Sequence, residues 1–282
     1  VVDVDELGIP KFYPVAHEML EVFPVPAFAD NYLWVIHDDR YAIVVDPGDA
    51  TPVIDFLTRK NLSLEAILVT HHHADHVGGI GALIDWFGAS ARPTVYGPAR
   101  ENIPHRDVAV VEGDVVRVGS LGIALEVLDV PGHTAGHVAY FEATRQWLFS
   151  GDTIFAAGCG RLLGGTAAAL FSSLSRIGDL PSGTRIYCTH EYTLSNIRFA
   201  RAVDGDNTEL HARAKLEATR RERGEPTVPT TVALERATNP FLRTNTPTVR
   251  NSVIASSSGQ LQDDATDLAV FAALREMKNQ FQ

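Results

Sequence analysis

The chain has 282 residues, room for one large domain or two ordinary ones, and its 45% hydrophobic and 21% charged content is that of a globular protein. No apolar run approaches the roughly 18 residues that span a bilayer, and a net charge of −11 argues against a nucleic-acid-binding surface. The acidic surplus lies in residues 1–190, with 23 acids against 12 bases, whereas residues 191–282 hold 12 of each. An anionic ligand is therefore held more easily by the C-terminal part.

Residues 1–18 carry Asp3, Asp5 and Glu6 and lack the basic-then-apolar pattern of a secretory leader. Leu33 to Ile36 and Ala42 to Val45 are apolar runs joined by His37-Asp38-Asp39-Arg40, a hairpin signal. Residues 66–69 form a short buried-strand run that ends at His71, and residues 78–87 look helical. Residues 115–118, 123–130, 139–141, 146–149 and 185–188 read as further strands. Many strands with few intervening helices suggest sheet packed on sheet with helices outside. Residues 207–223, rich in Ala, Glu, Lys and Arg, read as a helix stopped by Gly224-Glu225-Pro226. The Thr- and Pro-rich stretch 226–247 reads as irregular. Residues 267–281 read as a last helix with Leu268, Phe271 and Leu274 on one face and Asp263 or Asp264 as its cap. The change of character places a boundary near Glu191. Cys159 and Cys188 make no disulfide framework; as small buried hydrophobes they fit a reducing compartment, the cytoplasm.

The chemistry lies just past the ends of the strand-like runs. Residues 66–69 lead to His71, His73, Asp75 and His76; residues 125–130 lead to His133; residues 147–149 lead to Asp152; residues 185–188 lead to His190. Ends of strands in one sandwich can meet at one edge, where functional loops sit. His71 and His73 are two apart, so in an extended segment they point to one side. Four imidazoles and carboxylates within six residues repel or desolvate one another without a cation. One ion can take His71, His73 and His133, and a second can take Asp75, His76 and His190, with Asp152 bridging. Such a set leaves positions open for water, and it suits Zn, Fe or Mn. His72 is expected to face away as a structural residue, and His137 to sit just inside a helix or turn after Gly136. His17, His37, His105 and His211 have no partner at ligand spacing and read as surface residues. Asp46, in a Pro-Gly turn, either supports a ligand histidine or only shapes the turn.

The run Thr70-His71-His72-His73-Ala74-Asp75-His76 resembles the T-H-x-H-x-D-H signature of the metallo-β-lactamase superfamily. Further motifs resemble glyoxalase II, the hydroxyacylglutathione hydrolases. They are Phe28-Ala29-Asp30-Asn31-Tyr32, Val45-Asp46-Pro47-Gly48-Asp49-Ala50, Pro131-Gly132-His133-Thr134, Gly151-Asp152-Thr153, Gly158-Cys159-Gly160-Arg161, Thr189-His190-Glu191-Tyr192-Thr193 and Asn239-Pro240-Phe241-Leu242-Arg243. The resemblance runs from about Met19 to the C-terminus, so residues 1–18 stand as an N-terminal extension.

The resemblance implies an α+β fold, a four-layer αββα sandwich over residues 19–190, followed by a helical glutathione-binding domain over residues 191–282. It assigns His71, His73 and His133 to one divalent ion, Asp75, His76 and His190 to another, and Asp152 to both, with zinc the expected metal. It also implies glutathione contacts at Arg161, Tyr192, Arg275 and Lys278. The spacing adds that Arg275 and Lys278 are i,i+3 neighbours able to meet carboxylates of an anionic tripeptide. The implied reaction is hydrolysis of S-D-lactoylglutathione to D-lactate and glutathione, the second step of methylglyoxal detoxification. A bridging hydroxide is the nucleophile, and Asp75 and Asp152 are the catalytic carboxylates. The expected protein is a monomer that needs neither nucleic acid nor membrane. The sequence departs from many relatives at Leu163, where they carry an aromatic residue, and at Gly164, where a Glu is common; a hydroxyl contact to glutathione is therefore in question. The rivals are a β-lactamase, a glutathione-linked persulfide dioxygenase and a non-catalytic scaffold. Zinc β-lactamases generally carry Cys at the Asp152 position, the dioxygenase needs one metal, and a scaffold is expected to have lost ligands.

Overall fold

The computed structural model describes residues 20–281; the extension 1–18 lies outside the described residues. One mixed sheet contains β1 (Glu21–Ala27), β2 (Asn31–His37), β3 (Tyr41–Val45), β4 (Ser63–Leu68), β5 (Thr94–Pro98) and β6 (Val108–Val110), side by side in that order. The chain then forms β7 (Val115–Val118), β8 (Ile123–Asp129), β9 (Val138–Glu142) and β10 (Trp147–Gly151), a small hairpin of β11 (Ile154–Phe155) and β12 (Gly158–Cys159), then β13 (Arg185–Cys188) and β14 (Thr230–Thr231). The second sheet runs β14-β13-β10-β9-β8-β7.

Period-2 alternation builds two faces on each sheet. Along β2, Tyr32, Trp34 and Ile36 enter the core between the sheets, while Leu33 and Val35 face outward. From the second sheet, Leu125, Val127, Tyr140, Phe149 and Tyr187 fill the same inner core. The outer face of the first sheet is covered by α1 (Ala50–Lys60) and, beyond the single-turn α2 (Ala74–Val77), by α3 (Ile80–Phe87), through Val53, Phe56, Leu57, Ile80 and Leu83. The outer face of the second sheet, Leu128, Ala139, Phe141, Leu148 and Ile186, meets Leu170, Leu174 and Ile177 of α4 (Ala167–Gly178). The same outer cluster takes residues of α5 (Thr193–Val203), and α6 (Thr208–Glu222) packs on α5. It is completed by α7 (Val232–Thr238), α8 (Pro247–Ser256) and α9 (Asp267–Gln280). The result is the expected four-layer αββα sandwich with a helical C-terminal part. No helix of the described residues is long and apolar enough to cross a membrane.

Several local expectations are corrected. The helices α1, α4, α5 and α8 were not anticipated. The stretch 226–247 is not irregular throughout: it holds β14, α7 and a 3-10 turn, Pro240–Leu242. Thr231 caps α7 by accepting from Leu234 N at 3.2 Å. The last helix is capped by Thr266, which accepts from Ala269 N at 3.2 Å, and not by Asp263 or Asp264. Its buried face is Val270, Phe271, Leu274 and Arg275, while Leu268 is exposed. His37 is buried, its Nδ1 2.6 Å from the Asp38 carbonyl and its ring beside Phe56. His105 and His211 are not buried, and His17 lies outside the described residues.

Candidate dinuclear metal centre

Strand direction brings the site together. β8 and β9 are antiparallel, β9 and β10 are antiparallel, and β10 and β13 are parallel, so β8, β10 and β13 point one way. Their C-terminal ends deliver His133, Asp152 and His190 to one edge. In the first sheet β3 and β4 are parallel, so Asp46 and the 70–76 loop emerge side by side, next to the start of the antiparallel β2. The two sheets are tied there by an antiparallel bridge between Asn31 and His190, by Tyr32 N donating to Thr189 O at 2.7 Å, and by Val138 N donating to Thr70 O at 3.0 Å. The loops pack closely: a Cβ on Gly48 would stand 1.9 Å from the Asp75 carbonyl oxygen.

All seven expected ligands converge. His73 Nδ1 lies 3.0 Å from both His71 Nε2 and His133 Nε2. Nε2 of His76 is 3.5 Å from Asp152 and 3.6 Å from Asp75, and Nε2 of His190 is 3.4 Å from Asp152 and 3.5 Å from Asp75. His133 Nε2 is 3.5 Å from Asp152. Four ligands placed tetrahedrally about 2.0–2.1 Å from one ion stand about 3.3 Å apart, which is the spacing found. His71-His73-His133 and Asp75-His76-His190 each form a ligand-sized group, and His71-His76-Asp152 links them. His76 Nε2 and Asp152 Oδ1 are buried without a hydrogen-bond partner. An unpaired buried polar atom is costly, and a cation supplies the missing partner.

The electrostatics fit the same occupant. Burial pushes the His71 ring well below the usual imidazole range and lowers His73 and His133, leaving neutral rings with free lone pairs. Burial works against charge on His76 too, but Asp152 and Asp46 outweigh it and hold that ring well above the usual range. His190 is raised in the same way, by Asp152 and Asp30 against burial. Burial alone would raise the Asp152 carboxyl; His76 and His190 instead hold it well below the usual carboxylate range. The carboxylates around these two rings thus favour positive charge there, which a divalent ion would supply.

Partners behind the ligands set the ring orientations. His133 Nδ1 is 2.8 Å from the Arg161 carbonyl and His190 Nδ1 is 2.8 Å from Asp30 Oδ1, so each Nε2 faces the centre. Asn31 Nδ2 donates to Asp75 Oδ2 at 3.1 Å. Of the two readings of Asp46, the supporting one fits: its Oδ2 is 3.0 Å from His76 Nδ1, off the axis of a good hydrogen bond. The same carboxylate accepts from Thr70 N and Thr70 Oγ1, both at 2.7 Å. Asp46→Asn is expected to weaken one ion by about 10- to 100-fold, read by chelator competition; unchanged affinity would leave Asp46 a turn-former only. His72 points away, its side chain about half exposed and its Nδ1 paired with Glu101. His137 follows the turn as expected but is fully buried, stacked on His71 at 4.6 Å, with its Nε2 accepting from Asp152 N at 3.1 Å. Sequence spacing carried no signal for that role, nor for Asp30 or Glu101.

A cleft of about 490 Å³ runs from His73, Asp75, His133, Asp152 and His190 to α9. Arg161, Leu163, Tyr192, Arg275 and Lys278 all line it. Tyr192 stacks flat on His190 at 4.6 Å. Arg275 is not a solvated helix-end cation: it is buried and donates to the carbonyls of Cys159 at 2.9 Å and Gly160 at 3.4 Å. Lys278 Nζ lies 3.4 Å from Ser195 O and over the Phe199 ring.

This architecture, with a dense His/Asp cluster at one edge of an αββα sandwich, defines a metallo-β-lactamase-fold protein, and the model of the metallo-beta-lactamase superfamily matches residues 28–190. The model described as hydroxyacylglutathione hydrolase C-terminus matches residues 191–281. Hydroxyacylglutathione hydrolase of Nitrosomonas europaea is 49% identical over 93% of this chain and 97% of its own length. That of Cupriavidus metallidurans is 51% identical over 93% of this chain and all of its own. The chain belongs to the hydroxyacylglutathione hydrolase family. Among solved structures, TTHA1623 in a di-iron-bound form superposes with a TM-score of 0.54 at 28% identity, over 78% of this chain and all of the other.

Proposed function

We propose that the chain hydrolyses S-(2-hydroxyacyl)glutathione thioesters, typically S-D-lactoylglutathione to D-lactate and glutathione, as the second step of methylglyoxal detoxification. The observation that carries this reading is the cleft that joins five of the seven metal-ligand side chains, His73, Asp75, His133, Asp152 and His190, to two cations of α9. Residues 19–190 hold the metals and residues 191–282 hold glutathione. Zinc is the metal we assign, although these donors also suit iron and manganese. A monomer is the state we assign. The free, buried cysteines support a reducing, cytoplasmic setting.

His71, His73, His133, Asp152, Asp75, His76 and His190 would hold a pair of divalent ions, which when bound would lower the pKa of water and offset charge on the thioester carbonyl oxygen. Asp75, partly exposed to the cleft and held by Asn31, orients the attacking water. Burial pushes both cysteine thiols up, so neither is a nucleophile. The leaving thiolate is stable enough to depart without a strong general acid. Arg161, Tyr192 and Lys278 bind the glutathione moiety, and Arg275 does so while also holding the β11–β12 hairpin; that binding energy positions the reacting carbonyl. The test is metal analysis of purified protein with a hydrolysis assay on S-D-lactoylglutathione. Two ions without turnover would return the chain to the wider superfamily.

Lys278 gives a pH signature. Burial, then Arg275, Arg198 and Arg161, lower its amine from the usual lysine range to about 8. The charge that meets a glutathione carboxylate is present below that pH and lost above it. KM for glutathione thioesters is expected to rise between pH 7 and 9 in the wild type. Lys278→Ala is expected to show a raised KM already at pH 7, and Lys278→Arg to abolish the rise. A KM independent of pH in the wild type would remove Lys278 from the binding set.

A further inference from the structure

The structure assigns to Glu101 the task of positioning one of the two metal cages, His71-His73-His133, and not the other. The inference rests on the two-ion reading of the centre. Glu101 follows β5 and its side chain is 3% exposed. A carboxylate that deep needs partners, and every one it has belongs to a ligand loop. Oε1 accepts from Thr134 Oγ1 at 2.7 Å and from Gly136 N at 2.8 Å. Oε2 pairs with His72 Nδ1. Among the described residues its one ion-pair partner is His72; Arg106 reaches only its backbone carbonyl.

These partners sit in two loops of different sheets. His72 lies between His71 and His73, on the loop after β4. Thr134 follows His133, on the loop after β8, and Gly136 precedes His137. His73 and His133 approach to 3.0 Å across the gap between those loops, and His71 stands 3.0 Å from His73 on the near side. One buried carboxylate therefore clamps both sides of that gap. The fit is tight: a Cβ on Gly136 would stand 2.9 Å from Glu101 Cγ and Oε1. On the other cage the comparable work is done by different carboxylates, Asp46 beside His76 and Asp30 on His190. Asp46 also reaches the first cage through Thr70, whose Oγ1 is 3.1 Å from His71 Nδ1, whereas the side chains of Glu101 and Asp30 each support one cage only, so through them each cage can be loosened alone.

The experiment is stepwise removal of metal from the loaded full-length protein with a graded chelator, counting ions per chain. Glu101→Ala is expected to release one ion at a chelator activity about 10- to 100-fold lower than wild type, with the second ion unmoved. Glu101→Gln keeps an acceptor for Thr134 and Gly136 and can donate to the other tautomer of His72, so it is expected to restore most of the retention. Combined with Asp30→Asn, Glu101→Ala is expected to loosen both ions, because the two changes act on different cages. If Glu101→Ala does not fold, Thr134→Val removes one bond of the clamp and is expected to loosen the same single ion by a smaller factor. Two ions held as in the wild type by the variant that folds, equal loosening of both ions by either single variant, or a double variant that still keeps one ion at wild-type strength overturns the assignment. Wild-type protein that binds fewer than two ions overturns the two-ion reading itself, an outcome distinct from the others.

Discussion

Asp152→Ala is expected to lose both ions and to lower kcat/KM by at least about 10³-fold, more than a single oxyanion donor is usually worth. Its carboxylate faces both cages: it stands 3.5 Å from His133, 3.5 Å from His76 and 3.4 Å from His190. It is buried, and its Oδ1 has no hydrogen-bond partner. Removing it leaves five imidazoles and the single carboxylate of Asp75 around a void, one anion where two divalent charges need balance. The measurement pairs metal content with turnover. A variant that kept two ions and normal turnover would end the bridging role.

Glu235→Ala is expected to cost about 3–5 kcal/mol of stability, because it strands a buried cation. Glu235 Oε1 is 2.8 Å from Arg213, with both side chains at most 1% exposed. The nearest other carboxylate, Glu217, is 3.9 Å from Arg213. The same Glu235 accepts from Thr230 Oγ1 at 2.6 Å, Ala157 N at 2.8 Å and Asn239 Nδ2 at 2.9 Å. At about 2–4 °C per kcal/mol for a large domain, thermal unfolding should report a Tm lower by roughly 10 °C. Ala157 lies between β11 and β12, so the damage extends to the cleft wall, and KM should rise in whatever remains folded. Arg213→Met added to Glu235→Ala is expected to recover part of the loss by removing the stranded charge. A Tm within a degree of wild type would show that the network is solvated.

The seven residues that converge were legible because metal chemistry narrows the residue types and the apolar runs before them mark strand ends. Eight of the fourteen strands of the described residues were legible for the same reason; β1, β5 and β6, half of the first sheet, and the short β11, β12 and β14 were not. What escaped was set by tertiary contact. Thr and Pro in 226–247 suggested irregular chain, yet Thr231 works as a cap, and Pro240 and Pro247 open helical turns where a missing N–H costs nothing. The i,i+3 spacing of Arg275 and Lys278 put them on one side of α9. It held no trace of the Cys159 and Gly160 carbonyls that draw Arg275 inward. His137 and Glu101 carry no local pattern, since their partners come from loops distant in sequence.

The two-residue strand β14 guards an edge. It pairs antiparallel with β13, Arg185 with Thr231 and Ile186 with Thr230, and so closes the flank of the sheet whose far end presents His190. A fragment ending at residue 190 would contain all seven proposed metal ligands. It would also expose the backbone donors and acceptors along β13, an open template for another chain. Self-association through that flank, rather than a smaller soluble hydrolase, is the expected fate of such a fragment.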